Sequence, residues 1–299
     1  SRRRSARILP RRLLRFLVSE RGNVHLYEIG AEGGPLRQIV GGDRVLTTGV
    51  MGAGVDPHLY KASAGDVDAL RDADIIFYGG LELEGRMGDL LDALDRSQET
   101  VAVTRDMPAS RLRTPTEFAG HHDPHVWFSV PLWEDAVRTT AAAYIALDPE
   151  HAAGYRERSE AYLAELRELD GWIRARVAEI PERSRVLVTS HDAFGYFGDE
   201  YGFEVVAIQG TSTATEATTG DIERVADIVA DRGVRSVFIE SSVSRQTIDA
   251  VLAAARRRGQ DTRIGGELFT DAAGDPGTPE GTYVGMMRHN VEVIRAGLG

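Results

Sequence analysis

Between residues 149 and 180, apolar side chains recur at Tyr155, Tyr162, Leu166, Leu169, Ile173, Val177 and Ile180. The steps of seven, four, three, four, four and three keep one apolar stripe on a helix of 3.6 residues per turn. Asp148 suits the N-cap and Pro149 the first helical position, where its missing N–H has no helical partner to lose. Pro181 stops the run. About 32 residues in helix span roughly 48 Å, more than one small domain needs. The pattern describes either a long surface helix of one domain or a rigid strut between two lobes. The flanking stretches favour the strut.

Before this helix, short apolar runs at 44–50, 74–78 and 100–104 read as strands. Helical patterns lie between and after them, at 63–73, 84–94 and 131–147. After it, strands are predicted at 185–189, 203–208, 235–240 and 262–268, with helices at 190–201, 221–232, 244–258 and 281–297. Residues 23–29 suggest a short strand and 35–40 a short helix. Alternating strands and helices on both sides imply an α/β fold of two parallel-sheet lobes joined by one long rigid α-helix, with a cleft between them.

Composition narrows the partners. The chain has 299 residues, 42% of them apolar, and a net charge of −11. That acidity argues against nucleic acid as the main partner. With no cysteine there is no disulfide framework and no thiolate site. No apolar stretch is long enough for a membrane span. The first 16 residues carry seven arginines and the short apolar patch Phe16-Leu17-Val18 follows. This head reads as an altered export signal, a basic tail or a misplaced start.

The chemistry is carried by histidine. Asp-Pro-His occurs at 56–58 and again at 123–125, each in a loop. Proline stiffens the backbone before each imidazole, and each Asp can fix its loop or accept the imidazole N–H. His191 follows an apolar strand, at the carboxyl end where open α/β sheets place ligand sites. Asp271 follows another predicted strand in a Gly-rich loop. His58, His125, His191 and Asp271 thus come two from each half. Three imidazoles and a carboxylate suit zinc, manganese or iron, not calcium or magnesium. If the lobes face each other, the four meet in the cleft and the ion clamps two ligands from each lobe.

Weaker candidates surround this set. Asp192 and Asp275 are substitutes for the fourth ligand. His121 and His122 form either a solvated loop or an aid to metal loading. Glu240 is a partner of the site or a polar strand end, and His151 and His289 are structural helix residues.

Several stretches, in order, resemble the zinc- and manganese-binding solute-binding proteins of bacterial ABC transporters, the metal-specific cluster with a rigid linking helix. They are Gly54-Val55-Asp56-Pro57-His58-Leu59-Tyr60, Gly80-Leu81-Glu82-Leu83-Glu84-Gly85, Asp123-Pro124-His125-Val126-Trp127-Phe128, Ser190-His191-Asp192-Ala193-Phe194-Gly195-Tyr196-Phe197, Phe238-Ile239-Glu240 and Leu268-Phe269-Thr270-Asp271. The terminal stretch Gly281 to Asn290 is similar to that family's last helix. The resemblance spans about residues 36–299 and implies metal ligands at His58, His125, His191 and Asp271. It implies an extracytoplasmic, monomeric, non-enzymatic protein, periplasmic or anchored at the cell surface. Such a protein captures zinc or manganese, with iron also possible, and hands it to the membrane permease of an ABC importer. The implied organisation is an atypical segment 1–35, an N-terminal lobe 36–147, a linking helix 148–181 and a C-terminal lobe 182–299. Residues 1–35 depart from the family, which opens with a strand and a helix.

The rival reading is a metal-dependent hydrolase using a three-histidine site with an open water position. Four protein ligands and the lack of an evident general base weigh against it. An adhesin-like surface role has no independent support in the sequence. For metal capture, affinity is expected to fall below about pH 6.5, where an unperturbed imidazole takes up a proton.

Overall fold

The computed structural model describes the backbone at Leu14–Val18, at Tyr27–Glu28 and over residues 37–299 apart from 119, with side chains from residue 39. In chain order the first half holds β1 (Leu14–Val18), β2 (Tyr27–Glu28), β3 (Arg37–Gln38), β4 (Val45–Gly49), α1 (Ala64–Asp72), β5 (Ile75–Tyr78), α2 (Gly88–Asp95), β6 (Glu99–Ala102) and α3 (Val130–Leu147). The linking helix is α4 (Ala152–Val177). The second half holds β7 (Val186–His191), α5 (Gly195–Tyr201), β8 (Glu204–Gln209), α6 (Thr219–Asp231), β9 (Ser236–Glu240), α7 (Gln246–Arg257), β10 (Arg263–Leu268) and α8 (Tyr283–Leu298).

The first lobe is a parallel sheet in the order β4-β1-β5-β6. Leu14 pairs with Val45, Val18 with Gly49, and Phe16 with Ile75, so β1 lies between β4 and β5. This corrects the expectation that residues 1–35 lack the lobe's opening strand. A strand paired on both edges within a parallel sheet needs only a four- or five-residue apolar run, and Phe16-Leu17-Val18 supplies most of it within a stretch that its arginines make look like a signal head. The basic residues 1–13 lie outside the described residues. The short helix expected at 35–40 is absent as well: Arg37–Gln38 pairs antiparallel with Tyr27–Glu28. Gly33, Gly34, Gly41 and Gly42 bracket too few residues to nucleate a helix.

In the second lobe, β7 pairs parallel with β8 and β10 pairs parallel with β9. The two pairs meet along β7 and β9. Capping boxes start two helices: Ser63 with Asp66 at α1, and Thr218 with Asp221 at α6. The carboxyl ends of β4, β7 and β10 all lead to the cleft.

The linking helix follows a 3₁₀ turn over Pro149–His151. Asp148 does not cap it. Its carboxylate instead accepts from Arg44 Nε at 2.9 Å, His151 Nδ1 at 2.9 Å and the Tyr155 hydroxyl at 2.8 Å. The stripe read from the sequence is buried from Tyr155 to Ile180. It packs along α3 on one side and α8 on the other. One apolar core therefore runs from Phe77 of the first lobe through Leu166 and Ile173 to Phe238 and Met287 of the second. Each large side chain of that stripe contributes about 1.5–3 kcal/mol by burial. The helix is thus the shared core of both lobes as well as their connection. A second apolar cluster lies between β7, β8, β9, α6 and α7, and a third between β5, α1 and α2.

Candidate metal centre

Four buried side chains converge in the cleft: His58, His125, His191 and Asp271, with one donor atom from each lying within 4.8 Å of the others. His125 Nε2 is 3.4 Å from His58 Nε2 and 3.4 Å from His191 Nε2. Asp271 Oδ1 is 3.3 Å from both His125 Nε2 and His191 Nε2. Four donors at the bond lengths of a tetrahedral first-row ion stand about 3.3–3.4 Å apart, so these four separations have the size of tetrahedral edges. Asp271 Oδ1 is fully buried yet takes no aligned hydrogen bond. An orphaned carboxylate oxygen facing three imidazole nitrogens is what a cation site requires.

The surroundings fix the rings unequally. Asp123 Oδ1 accepts both the His125 backbone N–H at 3.0 Å and its Nδ1–H at 2.8 Å. A carboxylate can only accept, so His125 carries its proton on Nδ1 and turns Nε2 to the centre. His191 is held the same way by Glu240 Oε2, 2.5 Å from Nδ1. The other Glu240 oxygen accepts the backbone N–H groups of Ser190 at 2.7 Å and His191 at 3.0 Å. This carboxylate explains a difference from the sequence reading. His191 ends β7 rather than opening a helix, and α5 starts only at Gly195, because Glu240 takes up the N–H groups at the strand end. Asp56 does something else: it accepts the His58 backbone N–H at 2.9 Å and leaves the ring alone.

The His125 loop is also tied to the opposite lobe. The Tyr196 hydroxyl donates to Asp123 O at 2.9 Å, Trp127 Nε1 donates to Thr270 O at 3.1 Å, and the Tyr283 hydroxyl donates to Trp127 O at 2.8 Å. Arg113 lies 3.6 Å from Asp123 and pairs with Asp199. Gly195 makes room for this: a Cβ there would stand 2.5 Å from Arg113 Nε and 3.0 Å from Asp123 Oδ2.

The protein matches the family described as zinc-uptake complex component A, periplasmic, over residues 34–297. The chain belongs to this family. It is 46% identical over 259 residues to the manganese-binding lipoprotein MntA of Bacillus subtilis, covering 87% of this chain and 84% of that one. It is 45% identical over 270 residues to the zinc-binding protein TroA of Treponema pallidum, covering 90% and 87%. The solved structure of that periplasmic zinc-binding protein superposes with a TM-score of 0.89 over 96% of this chain and 99% of its own, at 41% identity. The two-lobed architecture expected from the sequence is the fold of this family.

Charge is distributed unevenly over the three imidazoles. Burial alone would lower the His125 pKa, but its hydrogen bond to Asp123 and the nearby Asp271 carboxylate raise it to about 9. Burial likewise opposes the charge on His191, and Asp271 and Glu240 raise its pKa well above the usual value. Burial works against the Asp271 carboxylate, yet the two imidazoles hold its pKa well below the usual range. His58 goes the other way: burial lowers it to about 3 and Asp271 offsets only part of this. Protonation is thus favoured on His125 and His191 and disfavoured on His58. A cation bound by those two rings would displace any protons they hold.

The remaining candidates stay outside the cluster. Asp192 is half-buried and Asp275 is exposed in a turn, so neither substitutes for Asp271. His121 is exposed, and His122 Nδ1 lies 3.0 Å from the Thr114 hydroxyl. His151 binds Asp148, and His289 Nε2 meets Glu267 O at 3.1 Å, both structural as expected. Sequence reasoning missed Arg113, Trp127, Tyr196 and Thr213. Their partners are distant in the chain, and only Trp127 and Tyr196 stand inside a motif stretch.

Proposed function

We propose that this protein is an extracytoplasmic solute-binding protein that captures one divalent transition-metal ion, zinc or manganese, and delivers it to the permease of an ABC importer. His58, His125, His191 and Asp271 are the ligands in this reading. The observation that carries it is the buried cluster of three Nε2 atoms around the orphaned Asp271 oxygen. Asp123 and Glu240 orient two of the rings, as carboxylates commonly do for metal-bound histidine. The metal-binding relatives and the periplasmic family support the cargo, the compartment and the permease. Among the described residues no helix is long and apolar enough to cross a membrane. The chain acts as a monomer here and divides into a lobe of residues 36–147, a linking helix 148–181 and a lobe of residues 182–299, with the strand Leu14–Val18 added to the first sheet.

Binding and release make and break no covalent bond in the cargo, so the protein is a carrier and not a catalyst. The hydrolase reading lacks support: the relatives are metal-binding proteins, and a catalytic zinc typically has three protein ligands where this cluster offers four donors. The test is elemental analysis of protein purified without added metal, followed by competition between zinc and manganese. The reading predicts one tightly held transition-metal ion per chain, lost in His191→Ala. A folded wild-type chain that holds none rejects it. Metal-dependent phosphatase or esterase turnover would restore the hydrolase.

A further inference from the structure

We propose that Thr213 and Asp56 form a latch across the cleft that sets the rate of metal release through His58. The inference rests on the metal-carrier reading and adds to it a positioning residue outside the ligand set. Asp56 belongs to the loop after β4 in the first lobe. Thr213 belongs to the loop between β8 and α6 in the second. The Thr213 hydroxyl donates to Asp56 Oδ2 at 2.5 Å, while Asp56 Oδ1 accepts the His58 backbone N–H at 2.9 Å. One carboxylate therefore ties the His58 backbone to the opposite lobe.

Three observations give this contact its importance. His58 is the one member of the cluster with residual exposure, 4%, against 0% for the other three. Among the described residues no carboxylate hydrogen-bonds to its Nδ1, unlike those of His125 and His191. Thr213 is nearly buried, 8% exposed, and its loop is held in place by Gln209 Nε2 donating to Thr215 O at 3.2 Å and by Asp192 N donating to Gly210 O at 3.4 Å. The latch thus joins a loop anchored in the second lobe to the ligand at the mouth of the site. Breaking it frees the His58 loop without touching His125, His191 or Asp271. It also leaves a half-buried Asp56 carboxylate oxygen without its donor, which disfavours the closed arrangement.

The test uses the full chain loaded with Zn²⁺, and stopped-flow measurement of Zn²⁺ release into excess chelator. Thr213→Val is expected to release the ion about tenfold faster, with one ion still bound per chain and an unchanged melting temperature of the metal-free protein. Thr213→Ser, which keeps the hydroxyl, is expected to release at the wild-type rate. In an Asp56→Ala background, Thr213→Val is expected to add nothing, because the hydroxyl acts only through that carboxylate. If Thr213→Val does not fold, Thr213→Ala removes the same hydroxyl. Wild-type release from the hydroxyl-deleted variant overturns the latch, as does equal acceleration in Thr213→Ser. Both results leave metal capture standing. A wild-type chain that takes up no Zn²⁺ overturns the carrier reading and the latch together.

Discussion

Asp56-Pro57-His58 and Asp123-Pro124-His125 are the same three residues, 67 positions apart, contributed by the same half of the chain. The structure uses them differently. Asp123 grips the imidazole of its own histidine, helps Asp271 raise its pKa to about 9 and sits in a network reaching Tyr196 and Arg113. Asp56 grips only the backbone of its histidine and sends its other oxygen to Thr213, while the unassisted His58 ring is driven down to about 3. Although both loops belong to the first lobe, the His125 loop is bonded to the second through Trp127, Tyr196 and Tyr283. A clamp of two ligands from each lobe is therefore too symmetrical a picture. Three candidate ligands are braced together, and His58, 4% exposed, lies outermost. The lesson is that a repeated motif fixes which donor is offered, and the long-range partners fix how firmly it is held.

The comparison is broken most severely by removing donors. One ligand among four accounts for a loss of about a hundred- to a thousandfold in affinity. His125→Ala is expected at the upper end, because its Nε2 borders all three other donors, and His58→Ala at the lower. Isothermal titration with zinc, with chelator competition, ranks them. The reverse order would contradict the account.

Acidification separates the two histidines next. Neighbouring carboxylates raise the His125 pKa to about 9 and the His191 pKa well above its usual value, so a cation bound by these rings would have to displace protons that they favour. Lower pH therefore favours the metal-free form. Affinity should rise with pH by close to two protons per ion, through neutral pH and up to about 9. The sequence-based expectation of a fall only below about 6.5 takes each imidazole as unperturbed, and the neighbouring carboxylates overturn it. His58, already neutral above about 3, should contribute no proton. Affinity that levels off at pH 7 would contradict this.

Changing the two aspartates sharpens the contrast. Asp123→Asn removes the charge that orients and charges His125, and should weaken binding about 10- to 100-fold. Asp56→Asn keeps an oxygen for the His58 backbone and should cost only a few-fold at equilibrium. Equal losses would mean that the two copies are equivalent after all. The smallest effect is expected from Gly195→Ala. Its new Cβ presses on Arg113 and Asp123, so it should weaken binding a few-fold through His125 while leaving Zn²⁺ release governed by His58 unchanged.

Much of this was legible in the chain. The linking helix announced itself through its stripe. The four candidate ligands stood out because their loops follow strands and because Asp-Pro-His occurs twice. What escaped the sequence is long-range. The β1 strand is a five-residue run hidden among arginines, and only its pairing with Val45 and Ile75 on either side reveals it. The end of β7 at His191 depends on Glu240, 49 positions further on. The different fates of Asp56 and Asp123 depend on Thr213, Tyr196 and Arg113, whose spacing from the motifs carries no periodicity.

X-ray absorption at the zinc edge of the loaded wild-type protein tests the central claim most directly. The account predicts one ion with three imidazole nitrogens and one carboxylate oxygen at about 2.0–2.1 Å, and loss of one imidazole in His58→Ala with the other three donors retained. A shell dominated by oxygen, or one unchanged in His58→Ala, would contradict it.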